Sequence, residues 1–414
     1  MSDFNARHVI EALRSGVPSR AVGEYFSEAR PEMMNRIRRR MDAVRETGRS
    51  DGMLYTGRYG EGKTHLLNTV FSLATSSNMV VSYVSLGRET PMDKPYLLYQ
   101  KLVDNTYLPG ASQPGFRARL EELTQGSAAS GELMAYAAKE LETDKLYYLL
   151  RAFLGTQEEE ERCAFLADLE GDFVTGAAIK KSYRRITGTP AKFNQNFSKV
   201  KHGMDYFRFL SHMFRQFGYD GWVLLFDEAE LIGRLGKRAR AKSYRTMQAF
   251  LCPESRLENV FSLFALSSSF VEDVIDKRHE YDNVGAAFAD DPESHKAACA
   301  ALDAMTKAPE LAPLTENEIR QVLMSVQDFH GRAYDWHPEV SADAIYAATE
   351  SGGYLLRTKI RAAIEFFDQL YQYGQAGKTR IAALGRERFD EEDEDTPELP
   401  GLDDSVSQEP QENA

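Results

Sequence analysis

The feature that most constrains this chain is a glycine-rich run, GRYGEGKT, at residues 57–64. It fits the pattern G-x-x-x-x-G-K-[ST] in full. A short apolar run of strand type, Gly52–Thr56, precedes it, and a helix-compatible stretch, Lys63–Ala74, follows it. Successive backbone N–H groups of such a loop converge on a phosphate, and the following helix adds the partial positive charge of its N-terminus. The run therefore predicts a phosphate-binding loop between a strand and a helix.

The residue types in this loop predict how it would hold ATP and Mg²⁺. Lys63 would reach the β- and γ-phosphates, and the hydroxyl of Thr64 would ligate the metal. Glycine at 57, 60 and 62 removes the Cβ atoms that would block close approach of the phosphates. The predicted nucleotide-binding residues of this region are Gly57, Arg58, Tyr59, Gly60, Glu61, Gly62, Lys63, Thr64 and His65. His65 is interpreted as a residue at the helix N-terminus rather than as a catalyst.

The partner of such a loop is an acidic residue that ends a buried strand, and the run WVLLFDEAE at 222–230 supplies it. Asp227 would hold the Mg²⁺ through water, and Glu228 would polarise the water that attacks the γ-phosphate. Two consecutive acids at this position favour hydrolysis over passive nucleotide binding. DEAE also resembles a helicase box, but only about 120 residues separate Ser269 from the acidic end, and they carry no helicase arginine motif. The sequence therefore argues against a two-domain helicase.

Three further polar positions are expected of an AAA+ ATPase. The strand-like run at 259–266 ends in the serines 267–269, and Ser268 is the candidate for the sensor 1 residue that orients the water. Arg357 lies near the start of a predicted C-terminal helix and is the candidate sensor 2 residue, with Arg361 as the alternative. Arg278 is the candidate arginine finger that reaches a neighbouring subunit, and Arg234, Arg238 and Arg240 remain alternatives.

The order of the elements predicts the fold. Strand signals alternate with helices, and the near-continuous apolar runs at 221–226 and 259–266 are typical of strands covered on both faces of a parallel sheet. The predicted class is an α/β P-loop NTPase (AAA+-like) core with a large helical insertion, a C-terminal helical lid and a disordered acidic tail. The predicted boundaries are 1–50 for an N-terminal helical segment, 51–310 for the core with an insertion at about 94–217, 311–385 for the lid and 386–414 for the tail.

The charge is concentrated at one end of the chain. The formal net charge of the chain is −13, and residues 390–414 hold eleven acidic residues and no basic one. The other 389 residues therefore have a formal net charge of −2. A nearly neutral body can carry local basic faces. Basic clusters occur at 36–40, 180–185, 192–202 and 234–242, and Tyr183, Phe193 and Phe197 interleave those of the insertion as candidates for base stacking. DNA contact is expected from the insertion and from the helix after Asp227, although a solvated helix face explains each cluster taken singly.

The remaining composition excludes several classes of protein. Cys163, Cys252 and Cys299 are scattered and form no C-x-x-C pair, which argues against a disulfide framework and against a cysteine-rich zinc site. No window approaches the roughly 18 consecutive apolar residues of a membrane span. The expected location is the reducing cytoplasm, without a membrane partner.

The N-terminal run VIEALRSGVPSR at 9–20, the loop at 57–64 and the DEAE run at 227–230 resemble the AAA+-like P-loop ATP-binding proteins of BREX and related bacterial phage-defence islands. The similarity extends to 312–315 and 356–361. It implies an ATPase that works on DNA with a defence partner such as a helicase, a methyltransferase or a phosphatase-like protein. A homo-oligomer is also expected, since an adjacent subunit could complete the site. By similarity to the origin-recognition and loader ATPases, the resemblance also implies that Arg20 contacts the adenine. The chain departs from those ATPases in showing no obvious winged-helix module after Tyr373.

Two hypotheses about function follow. In the first, an ATPase of a phage-defence system couples its ATP state to assembly on DNA or with a defence partner. In the second, the chain is a non-catalytic ATP-dependent switch or adaptor without direct DNA contact.

Overall fold

The computed structural model describes residues 3–15, 30–252, 256–349 and 356–376 of the 414. In this part of the chain, five strands form one sheet in the spatial order β1-β5-β4-β2-β3. All neighbours are parallel except β3, which pairs antiparallel with β2. The strands are β1 (Asp51–Gly57), β2 (Val80–Ser85), β3 (Thr106–Tyr107), β4 (Trp222–Asp227) and β5 (Val260–Ser267). The predicted α/β class and the four predicted strands are confirmed; the two-residue β3 is too short to give a sequence pattern.

Helices cover both faces of the sheet and extend beyond it. They are α1 (Asp3–Ser15), α2 (Pro31–Thr47), α3 (Lys63–Ser76), α4 (Pro95–Asp104), α5 (Arg117–Glu121), α6 (Ala128–Lys139), α7 (Lys145–Gly155), α8 (Glu159–Ala167), α9 (Gly176–Thr187), α10 (Lys199–Gln216), α11 (Lys237–Leu251), α12 (Glu280–Ala287), α13 (Pro292–Thr306), α14 (Glu316–Tyr334), α15 (Ala342–Ala348) and α16 (Leu356–Tyr373). A 3₁₀ turn follows β4 at Ala229–Arg234.

The central strands are apolar along their whole length because both of their faces are buried. Leu224 and Phe226 of β4 face one apolar core, which also contains helices α4, α7, α10 and α11. Val223 and Leu225 face the other core, under α2 and α3. Since successive side chains of a strand point to opposite faces, both sets of positions must be apolar.

The helices of the predicted insertion share the first of these cores. Helix α4 contacts β2, and the Phe207 ring of α10 stacks on Trp222 of β4, so these two helices join the insertion to the sheet. A buried ion pair stabilises their interior: Lys145 Nζ lies 2.6 Å from Asp168 Oδ2, and the Tyr206 hydroxyl donates to the other carboxylate oxygen at 2.6 Å. The Phe197 ring centroid lies 4.1 Å from Lys145 Nζ. A buried charge pair is tolerated only when its remaining polar atoms also find partners, as they do here.

The two N-terminal helices lie in different parts of the structure. Helix α2 packs under the sheet beside α3, whereas α1 packs against α14 and α16 in a third apolar core. Arg14 of α1 pairs with Asp368 of α16 at 2.9 Å, and Arg7 donates to the Ala333 carbonyl at 2.7 Å. Arg20, which the sequence assigns to the adenine, and the acidic segment 386–414 lie outside the described residues.

A short segment joins the outer edge of β1 to the C-terminal helices. Thr56 donates its N–H to the Pro309 carbonyl at 2.9 Å, and Leu311 donates to the Thr56 carbonyl at 2.7 Å. This parallel bridge precedes the N-terminus of α14, which the Thr315–Glu318 capping box closes. The C-terminal helices therefore begin directly beside the strand that leads into the 57–64 loop.

The close approach of β1 to α11 gives a test of the fold. A Cβ added at Gly52 would lie 2.4 Å from the Phe250 carbonyl oxygen, whereas one added at Gly87 meets nothing within 4 Å. We expect Gly52→Ala to lower the free energy of unfolding by about 2–3 kcal/mol because backbone must shift to admit the methyl group. Gly87→Ala is the matched control and should change it by less than about 0.5 kcal/mol. Equal denaturation midpoints for the two variants would contradict this packing.

Candidate nucleotide-binding site

The 57–64 loop has the backbone geometry that a phosphate-binding turn needs. Gly60 and Gly62 have φ angles of 81° and 92°, a region that side chains with a Cβ rarely adopt. Gly62 is the N-cap of α3, and among the described residues no side chain caps that helix. The first N–H groups of α3 are therefore available to an anion, with the helix dipole directed at it.

Lys63 is buried and directed back across the loop. Its Nζ lies 3.1 Å from the Gly57 carbonyl oxygen and 4.0 Å from Glu230 Oε1. The Tyr55 hydroxyl donates to the Lys63 carbonyl at 2.7 Å, and burial raises the pKa of Tyr55 well above its usual value, which keeps this donor protonated. The lysine is thus held at the mouth of the loop by groups from β1 and from the turn after β4.

Asp227 ends β4 and is almost fully buried. Its Oδ2 accepts a hydrogen bond from the Tyr83 hydroxyl at 2.7 Å, and its Oδ1 accepts from the Glu228 N–H at 2.9 Å. Tyr83 belongs to β2, which pairs with β4, so the sheet places this donor beside the carboxylate. The sequence did not predict Tyr83 as a site residue.

Glu228 follows with a φ of 53°, an uncommon conformation for a residue with a side chain, and its side chain is exposed at the edge of the sheet. This turn starts the 3₁₀ helix Ala229–Arg234 and returns Glu230 to the interior. Glu230 Oε2 accepts the Ser267 N–H at 3.0 Å, while its Oε1 faces Lys63. The sequence did not predict Glu230 as a site residue, and its membership of the acidic run 227–230 was the signal that could have found it.

The serines that end β5 lie between the 57–64 loop and Asp227, because β5 is the strand between β1 and β4. Ser268 donates its N–H to the Gly57 carbonyl at 3.2 Å, the same oxygen that Lys63 contacts. The Ser267 and Ser269 hydroxyls lie 3.2 Å apart. The predicted sensor position is therefore next to the loop.

Two arginines connect the loop to the C-terminal helices. Arg357 of α16 places Nη1 3.4 Å from the Tyr59 hydroxyl, and Arg361, the alternative, lies one turn further along the helix. Arg30, which the sequence did not single out, donates through Nη2 to the Glu61 carbonyl at 2.7 Å and through Nε to the Ala312 carbonyl at 3.2 Å. Burial lowers the pKa of Arg30 from its ordinary value.

The four arginine-finger candidates differ in how deeply their side chains are buried. Arg240 is fully buried against Glu280, with Nε and Nη2 at 3.0 and 2.8 Å from the two carboxylate oxygens, so it cannot reach another subunit. Arg278 is half-buried and donates to the Gly233 carbonyl at 2.7 Å. Arg238 is exposed on α11, and Arg234 is half-buried.

The three aromatic residues predicted to stack on bases are half-buried and pack on other side chains of the insertion. The Phe193 ring stacks on the Tyr148 ring with centroids 5.1 Å apart. The Tyr183 ring packs edge-on against the Tyr148 ring, with centroids 5.0 Å apart. Phe197 packs on Lys145. The structure therefore does not support these rings as stacking platforms, because their contacts hold the insertion together.

The donor set fits ATP with a hard divalent cation. Thr64 and Asp227 offer oxygen ligands beside the loop, which is the chemistry Mg²⁺ prefers when phosphate oxygens complete its shell. Within residues 3–15, 30–252, 256–349 and 356–376, no group of three or more His, Cys, Asp or Glu side chains is placed to hold a metal on its own. No helix in that part of the chain is both long enough and apolar enough to cross a membrane.

A glycine-rich loop between β1 and α3, with an acidic strand end two strands away, is the arrangement of an α/β nucleotide-binding protein. The family model of the BREX system ATP-binding protein BrxC/D matches residues 1–127 and 143–380, most of the chain. The chain therefore belongs to this family, which confirms the resemblance stated above and implies ATP binding and a role in BREX phage defence. Comparisons with curated proteins and with solved structures gave no match.

The contact between Glu230 and Lys63 predicts that this carboxylate opposes ATP binding, because it neutralises the lysine and repels the γ-phosphate. Glu230→Gln removes the charge but keeps an oxygen for the Ser267 N–H. We expect the dissociation constant for ATP to fall about fivefold, or roughly 1 kcal/mol, in a calorimetric titration. Glu310→Gln, an exposed acid beside β1, is the control with the same charge change. Weaker binding in the Glu230 variant alone would contradict this role.

Proposed function

We propose that the chain is an AAA+-like ATPase that hydrolyses ATP with Mg²⁺ and couples its ATP state to assembly on DNA or with a BREX defence partner such as a helicase or methyltransferase. The observation that carries the proposal is the shared sheet edge: the 57–64 loop, the β5 serines and Asp227-Glu228 all follow the carboxyl ends of adjacent parallel strands. Family membership supports ATP as the ligand and phage defence as the setting.

In this proposal each residue has a separate task. The first N–H groups of α3 and the Lys63 ammonium would bind the phosphates, while the Thr64 hydroxyl and, through water, Asp227 would hold the cation, which would supply positive charge to the phosphate oxygens. Glu228 polarises the water for in-line attack. Ser268, next to the Gly57 carbonyl, orients that water from β5.

Arg357 would couple the nucleotide to the C-terminal helices. Its guanidinium lies at Tyr59 on the loop, so a bound γ-phosphate would compete with the tyrosine hydroxyl for it. Helix α1 packs with α14 and α16, whereas α2 packs under the sheet, so residues 16–29 connect the two parts. We therefore propose a core at 51–310 with its insertion at about 94–217 and a lid at 311–385 to which α1 is added, and Arg20 on the connecting segment as the adenine contact.

A neighbouring subunit would complete the site in this proposal. Arg278 is our candidate finger, and it would exchange the Gly233 carbonyl for the γ-phosphate of the adjacent protomer. Arg238, exposed on α11, is the second candidate. Sizing of the purified chain with and without ATP tests this, since a persistent monomer would favour the adaptor hypothesis.

Steady-state ATP turnover by the purified chain tests the proposal directly. Lys63→Ala should abolish ATP binding and turnover together, because it removes the cation that faces the phosphates. Glu228→Gln should lower kcat by at least about a hundredfold while ATP binding persists, as expected when a group acting on the water is lost. Glu310→Gln is the matched control and should retain full turnover.

If Glu228→Gln turns over ATP at the rate of the unmodified chain, the hydrolytic role of Glu228 is wrong. If, in addition, the unmodified chain binds ATP without turnover, the non-catalytic switch is the correct description.

A further inference from the structure

One surface of the insertion carries concentrated positive charge. Residues 173–204, all of them described, contain seven basic residues and no acidic one. They comprise α9, the following loop and the start of α10. We call the exposed side chains of Lys180, Lys181, Arg184 and Lys192 the basic face.

The geometry of α9 places three of these cations together. Ile179 and Ser182 are buried on the side of α9 that packs on α7, so Lys180, Lys181 and Arg184 point away from it and are exposed. Positions three and four apart on a helix are neighbours, with about 6 Å between their Cβ atoms. The three side chains therefore form one compact group.

The charge of this group is not neutralised within the described chain. Among the described residues, no carboxylate lies within ion-pairing distance of Lys180, Lys181, Arg184 or Lys192. Arg185 on the adjacent side differs, since it pairs with Glu158 at 2.9 Å and with Glu161. The basic face is thus distinct from the paired surface beside it.

The loop after α9 is held against Tyr148 of α7, which places it beside the cations of α9. The Tyr148 hydroxyl donates to the Lys192 carbonyl at 3.0 Å, and Phe193 stacks on the Tyr148 ring. Lys180 Nζ lies 5.2 Å from the Phe193 ring centroid, so the loop and the α9 cations share one surface. Because these contacts already hold the loop in place, its backbone loses little conformational entropy when the face binds a polyanion.

We propose that the basic face binds the phosphate backbone of double-stranded DNA, an inference that rests on the DNA-coupled function proposed above. A surface of cations without exposed aromatic rings favours binding of a DNA duplex, because the duplex has a high charge density. Binding of single-stranded DNA depends instead on aromatic side chains on which the bases stack. The rings of this region are half-buried against other side chains of the insertion, and Val200 is the one large exposed apolar side chain of residues 173–204. A protein partner would instead require aromatic or apolar anchors.

The test compares the full-length chain with a triple variant, Lys180→Gln/Lys181→Gln/Arg184→Gln. Fluorescence anisotropy with a DNA duplex of about 30 base pairs, over a series of salt concentrations, gives the affinity and its salt slope. We expect the variant to bind at least about tenfold more weakly, with the slope reduced by about 3. A single strand of equal length should bind the unmodified chain more weakly than the duplex does.

The matched control is Arg36→Gln/Arg38→Gln/Arg39→Gln, which removes the same charge from the exposed surface of α2 and should leave binding unchanged. Equal losses of DNA affinity in the two variants would show that only the net charge of the protein matters, and would overturn the proposal. Unchanged DNA binding in the α9 variant would also overturn the proposal. That result is expected if the acidic segment 390–414, rather than DNA, occupies the basic face. Tighter binding of the single strand would overturn the duplex assignment.

ATP turnover of the same proteins separates this inference from the proposed function. The α9 cations lie outside the nucleotide site, so the variant should keep basal turnover, which also reports that it folds. Absence of turnover in the unmodified chain would instead refute the ATPase proposal, whatever the DNA result.

Discussion

The parallel pairing of β5 between β1 and β4 is the constraint on which the rest of the site depends. Gly57 at the end of β1 lies in register with Ser267, and Phe226 of β4 lies in register with Phe264. The glycine-rich loop, the serines and the acids therefore follow three adjacent strand ends at one edge. Displacing β5 by one residue would turn its side chains to the opposite faces and disrupt both apolar cores.

Buried charged side chains hold together the elements around the β1-β5-β4 strands. Glu230 connects the turn after β4 to the N–H of Ser267 and to Lys63, and Arg240 connects α11 to Glu280 of α12 and to the Leu235 carbonyl. Each pair carries a desolvation cost that only specific geometry offsets. The turn after β4 and the start of α11 are therefore held in place by specific polar contacts.

The same edge is connected to the C-terminal helices by short-range contacts. The Pro309–Leu311 segment bridges Thr56 on β1, Arg30 joins Glu61 to Ala312, and Arg357 contacts Tyr59. Any ligand that moves the 57–64 loop therefore also changes contacts made by these helices. This gives a physical route from the 57–64 loop to α1, which is packed among them.

The sequence by itself determined the local features. The glycine spacing predicted the 57–64 loop, and the continuous apolar runs predicted β4 and β5, because these signals depend only on neighbours along the chain. Only the tertiary structure determined which distant elements come into contact: α1 with the C-terminal helices, Tyr83 with Asp227, Arg30 with Glu61, and Phe193 with Tyr148. Each of these joins residues more than twenty positions apart, and no local pattern encodes which distant partner satisfies a buried polar group or covers an apolar face.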